Sequence, residues 1–269
     1  MSLFVALEGI DACGKNVQSR LLADRMGAEL FSFPDYATPY GDLIASHLEG
    51  GWCVASTPGP EGSADRTDAM VFQSAQFTNR LELQVPLGQC LTENRNVVAD
   101  RYLASGLAYG AADGLDWKYL LQVQRHLIQP DINILLDIDV EDSVKRRPER
   151  RDRYEKNSSF INRVSKFYRS IWEHMSALVN YLGRDTMWVV VNGRDDIDTV
   201  HKNILLVVRN AHEIRSRSTW GPSPLAHCNR CNQLFKILKG MSGSHEKGEG
   251  DANVTDSSSS SRARGKPKE

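Results

Sequence analysis

The chain has 269 residues, 33 Lys+Arg against 34 Asp+Glu, and 41% apolar residues, so its formal net charge is only −1. Without a basic excess, a general nucleic-acid or membrane-surface binder is not expected, although a local basic patch is compatible with that balance. No apolar run reaches the roughly 18 residues of a membrane span, the first one stops at Glu8 without a basic lead, and the five cysteines (Cys13, Cys53, Cys90, Cys228, Cys231) are too scattered for a disulfide framework. A reduced, cytoplasmic chain is expected.

Apolar runs alternate with helical patterns as far as residue 212. Leu3–Glu8 reads as a strand and Asn16–Ala28 as a helix, followed by a strand at Glu29–Phe33. Gly41–Glu49 and Thr67–Leu91 read as helices on either side of a Gly/Pro/Ser-rich loop around residues 57–64. Asn96–Asp100 is the third strand, Trp117–Leu127 a helix, and Ile132–Ile138 the fourth strand. A short helix at Glu141–Arg147 and a long one at Asn157–Leu182 precede the fifth strand, Met187–Asn192, and the helix Ile197–His212. Strands this apolar, each followed by a helix, predict one α/β domain over residues 1–212: a five-stranded parallel sheet with helices on both faces. Residues 213–239 retain apolar side chains that can dock as an extension. Residues 240–269 are Gly, Ser and mixed charge, too polar to offset backbone entropy, and are expected to be disordered.

Gly9-Ile10-Asp11-Ala12-Cys13-Gly14-Lys15 fits the phosphate-loop pattern GxxxxGK between a strand and a helix. Glycines let backbone N–H groups converge on phosphate oxygens, the helix N-terminus adds partial positive charge, and the lysine reaches the β/γ-phosphates. Asn16 stands where a metal-binding hydroxyl is usual, and an amide oxygen can substitute for it, directly or through water, with different geometry. Asp100-Arg101 closes the third strand at the sheet edge where ligands bind. There a carboxylate can hold Mg²⁺ through water and an arginine can clamp a phosphate. His227-Cys228 and Cys231 make half a zinc-site spacing without a second pair, and read as incidental.

Together, Phe4–Asp11 with Gly14-Lys15 and Gln18-Ser19, Phe33-Pro34-Asp35-Tyr36, Asn79-Arg80, Asp100-Arg101-Tyr102 with Ser105 and Tyr109, and Asp152–Glu155 resemble the thymidylate kinase family of P-loop nucleoside monophosphate kinases. The resemblance spans roughly residues 3–210. It implies ATP binding by residues 9–17 (Gly9, Ile10, Asp11, Ala12, Cys13, Gly14, Lys15, Asn16 and Val17), with Mg²⁺ at Asp100 and Asn16. It implies an acceptor site of Asp11, Phe33, Tyr36, Gln76, Arg80, Arg101, Ser105 and Tyr109. In that site Arg80 meets the pyrimidine, Arg101 the acceptor phosphate, and Tyr109 the sugar at C2′. Gln76 stands where many relatives carry a stacking aromatic, and Gly106 where some carry an amide.

Five arginines fall in the eight residues 146–153, inside the lid expected at about 146–156. The resemblance implies a catalytic arginine in either the phosphate loop or the lid; this loop has none, so the family pattern points to Arg147, Arg150 or Arg151, beside Lys15 and Arg101. The implied reaction is phosphoryl transfer from Mg–ATP to dTMP, giving dTDP and ADP, by a cytoplasmic homodimer that binds neither nucleic acid nor membrane. Two other readings stay open: a deoxynucleoside kinase of related fold using Asp35 as base, and a nucleotide-binding homologue with little catalysis.

Overall fold

The structure, a computed structural model, describes residues 2–51, 66–149, 154, 157–174 and 186–217. Five parallel strands, β1 (Phe4–Glu8), β2 (Glu29–Ser32), β3 (Val97–Asp100), β4 (Ile132–Asp137) and β5 (Met187–Asn192), form one sheet in the order β2-β3-β1-β4-β5. All five residues of the central strand β1 are buried, because helices cover both of its faces. Register pairs Leu7 with Asp100 on one side and with Ile134 on the other. From β1 the chain leaves toward β2 at one edge, whereas from β3 it crosses toward β4 at the other. The carboxyl ends of these neighbours therefore open a crevice suited to a ligand.

Helix α1 (Lys15–Met26) begins at Gly14, whose φ of 102° suits glycine, and stops at Gly27 with φ 56°. It packs against α9 (Ile197–Arg217), where Gln18 Nε2 donates to the Ile197 carbonyl at 2.8 Å. The α9 helix runs past residue 212. Helix α2 (Pro39–Leu48) has the expected start signals: Thr38 accepts from the Gly41 N–H, and proline takes the first helical position.

The single helix expected over 67–91 is two, α3 (Arg66–Glu82) and α4 (Gln84–Thr92). Pro86 is the physical reason, since it has no N–H to give the Glu82 carbonyl and its ring crowds that position. A further helix, α5 (Leu103–Ala112), lies where none was expected, and packs against α3, α6 (Trp117–Gln124) and α8 (Ser158–Glu173). Between β4 and α8 lies α7 (Val140–Arg146). The expected extensions of the long helix to Leu182 and of the chain over 218–269 lie outside the described residues, as does the loop at 57–64. No described helix is long and apolar enough to cross a membrane.

Candidate active site

The loop between β1 and α1 folds tightly around its own lysine. Gly9 has φ 142°, and a Cβ there would stand 2.7 Å from the Leu136 carbonyl oxygen, so only glycine fits. Ala12 adopts the left-handed conformation, with φ 57°. Lys15 is buried, and its Nζ donates to the carbonyls of Gly9 at 2.9 Å and Ile10 at 2.7 Å. The ammonium is thus held inside the loop by the loop's own carbonyls.

Beside the loop, β3 delivers Arg101 in the left-handed region, φ 64°. Its guanidinium donates to the Gly9 carbonyl at 3.0 Å, pairs with the Asp11 carboxylate, and lies over the Tyr109 ring with Cζ 5.4 Å from the centroid. Tyr109 OH donates to the other Asp11 oxygen at 2.9 Å. Burial works against charge on Asp11, but Arg101 and Lys15 outweigh it and hold the carboxyl below its usual range. Burial likewise opposes the Arg101 cation, but Tyr109 and Asp11 overcome it, and its pKa stands well above the ordinary value.

From this pair a cleft with about 590 Å³ of free space, part of it open to solvent, runs outward between α3, α5 and the loop after β2. Asp11, Arg101, Ser105 and Tyr109 line it together with Phe33, Tyr36, Gln76 and Arg80. All eight expected acceptor residues are therefore on one surface. The metal pair is not on it: Asp100 ends β3, paired with Leu7, and Asn16 is exposed in the first turn of α1. Val17 is exposed as well. Arg147 follows α7, outside the cleft wall, while Arg150 and Arg151 lie outside the described residues. Among the described residues no group of three or more His, Cys, Asp and Glu is placed to hold a metal ion.

Several residues of the site have roles that no local sequence signal marked. Asn79 clamps the loop after β2. Its Oδ1 accepts from the Asp35 N–H at 3.0 Å, and its Nδ2 donates to the Asp35 carbonyl at 3.1 Å and to Thr38 Oγ1 at 2.7 Å. Glu8 is fully buried, and its carboxylate accepts from the N–H groups of Tyr102 and Ala104 at 3.0 and 2.9 Å and from the Ser105 hydroxyl at 2.6 Å. Phe72 stacks between His47, 4.3 Å between centroids, and Tyr154, 5.5 Å, so Tyr154 rests on α3. Burial pulls the Arg80 guanidinium pKa down, and Glu8 opposes the shift.

This geometry sets the loop after β1 beside a second pocket, with the Arg101 guanidinium at their junction. The thymidylate kinase family profile matches residues 7–204. A probable thymidylate kinase of Thermococcus kodakarensis is 31% identical over 219 residues, spanning 77% of this chain and 97% of that protein. The thymidylate kinase of Dictyostelium discoideum is 29% identical over 208 residues, spanning 75% and 82% respectively. In fold, the chain is similar to the solved thymidylate kinase of Candida albicans, with a TM-score of 0.65 at 23% identity over 78% of this chain and 92% of that one. The chain belongs to the thymidylate kinase family, and its activity is that of a thymidylate kinase.

Proposed function

We propose that the chain transfers the γ-phosphoryl group of Mg–ATP to dTMP, with ATP on residues 9–17 and dTMP in the cleft. The observation that carries this reading is Arg101, whose guanidinium bridges the Gly9 carbonyl and Asp11 where the two sites meet. The acceptor is a phosphate, already anionic at neutral pH, so no base is needed and catalysis consists of positioning and charge neutralisation. Lys15 leaves the Gly9 and Ile10 carbonyls for the β/γ-phosphates, and Arg101 holds the acceptor phosphate in line. Asp11 and Tyr109 fix the arginine and wall the sugar, leaving little room at C2′. Arg80 meets the base between Phe33 and Gln76. Arg147, Arg150 and Arg151 supply positive charge over the transferring group when the lid closes.

A carboxylate at Asp100 and an amide oxygen at Asn16 are hard donors of the type Mg²⁺ accepts, so these residues suit the ion that accompanies ATP. Bound there, Mg²⁺ would neutralise charge on the phosphates. Apolar side chains left exposed on α2, α3 and α4, among them Leu43, Val71, Leu81 and Val85, support a homodimer. A cytoplasmic location and no nucleic-acid partner complete the reading.

The deoxynucleoside kinase alternative needs a base near the acceptor hydroxyl. Asp35, its candidate, instead accepts from the Ala37 N–H at 3.0 Å and lines a separate groove beside Glu29 and Arg95. That disfavours it. The test is ADP release from Mg–ATP with dTMP, thymidine, dUMP, dCMP and dGMP in parallel, beside Lys15→Ala. Turnover with dTMP, lowered by about 10²–10³-fold in the variant, is expected for loss of a phosphate-stabilising cation. Turnover with thymidine and not dTMP would overturn the reading.

A further inference from the structure

Behind the cleft lining at Gly106 stands a buried side chain to which the phosphoryl chemistry gives no task. Gln124, near the end of α6, is 2% exposed and packs its amide against α5 at Gly106, a residue that lines the cleft. A Cβ on residue 106 would stand 2.8 Å from Gln124 Oε1, 2.9 Å from Nε2 and 3.0 Å from Cδ, so the amide fills the space that glycine leaves. Gln124 also lines a recess between α3 and α6, which shares Gln73 and Arg80 with the cleft. Two buried polar atoms here have no hydrogen-bond partner among the described residues: Gln124 Oε1, an acceptor, and Arg80 Nε, a donor. Each such orphan is costly to leave unmade, and a ligand of complementary pattern recovers that cost.

The complement is a donor beside an acceptor on one edge of a ligand. A pyrimidine-2,4-dione has that edge, with N3–H next to the C4 carbonyl; a 4-aminopyrimidine reverses it. Building on the thymidylate kinase reading, we propose that Gln124 is a base-recognising residue, accepting N3–H of the pyrimidine through Oε1 while Arg80 donates to O4. Glycine at 106 is then a requirement of specificity, because it opens the path for an amide that arrives from the next helix.

The experiment compares kcat and KM for dTMP and N3-methyl-dTMP in the full-length wild type, Gln124→Leu, Gly106→Ala and the double variant G106N/Q124A. N3-methylation removes the donor, and in the wild type kcat/KM should fall by about 100-fold or more, since a site built to pair a polar group rejects the analogue without it. Gln124→Leu should raise KM for dTMP about tenfold, leave kcat within a few fold, and shrink the N3-methyl penalty to a few fold. Gly106→Ala, whose Cβ must push the amide aside, should shrink the penalty in the same direction and serves if the leucine variant fails to fold. The double variant returns an amide to the same point from α5 and should restore part of the penalty. An unchanged penalty in both single variants would overturn the role of Gln124 while leaving the kinase reading intact. Absence of dTMP turnover in the wild type would overturn the kinase reading itself.

Discussion

A single carboxylate joins the phosphate loop to the acceptor helix. Glu8, the last residue of β1, caps the start of α5 from another element, accepting from two N–H groups that the helix itself leaves unpaired. In sequence Glu8 is only the polar end of an apolar run, since its partners lie 94 to 97 residues away. Glu8→Gln keeps the oxygen that accepts both N–H groups, and its new NH₂ can donate to the Ser105 hydroxyl, so stability should stay within about 1 kcal/mol of wild type. Glu8→Ala strands several buried groups and should cost about 3 kcal/mol, read from urea midpoints. The sign with pH is also fixed. Burial raises the Glu8 pKa above its ordinary 4.5, against Ser105 and Arg101. Its contribution to stability is full below that value and lost as pH rises through the folded pKa. The advantage of Glu8→Gln over wild type should therefore widen upward from about pH 4.5. A constant difference would show that Glu8 titrates as in the unfolded chain.

Elements carry the acceptor site through the loop after β2, which Asn79 on α3 ties down at both the N–H and the carbonyl of Asp35. Asn79→Ala should raise KM for dTMP about tenfold with a smaller change in kcat, because a loosened loop misplaces the acceptor before chemistry begins. It should also cost about 1–2 kcal/mol of stability in the same urea assay. Equal KM values in variant and wild type would mean that the loop holds its shape without the clamp. The strands were legible because their apolar residues fill short runs, and helix α8 because its apolar residues recur with a clear period. Helix α5 was not, since nine of its ten residues are buried and its two glycines break any amphipathic stripe. The break between α3 and α4 was hidden for the opposite reason: the apolar pattern continues through it, and only Pro86 marks the change. Motif residues of the site were readable because chemistry fixes their types. The structural tasks of Glu8 and Asn79, although both lie in motif blocks, and of Gln124 were not, because their partners come together only when the sheet is assembled.

At the scale of the whole molecule, the sheet order sets β1 beside β3 and so brings the phosphate loop and Arg101 together from positions some ninety residues apart. A ligand that binds only the folded state must then stabilise the entire fold. At 100 times its Kd, dTMP should add about 2.7 kcal/mol, a rise in Tm of roughly 5–10 °C for a domain of this size. Arg101→Ala should remove most of that rise in a thermal melt, whereas thymidine should give little in the wild type. Equal shifts from thymidine and dTMP would show that the phosphate is not the anchor.

The pair between Arg101 and Asp11 has one more consequence. Its guanidinium already has a counter-ion before any nucleotide arrives, with one arm on the Asp11 carboxylate and another on a peptide carbonyl. A newcomer must outbid that carboxylate for the cation, and charge decides who can. A phosphate monoester carrying two negative charges competes; chloride, carrying one, does not, and a bare alcohol brings nothing to the exchange. If Arg101 receives the acceptor phosphate as proposed, the pair would act as a valence filter, favouring molecules that have already been phosphorylated once.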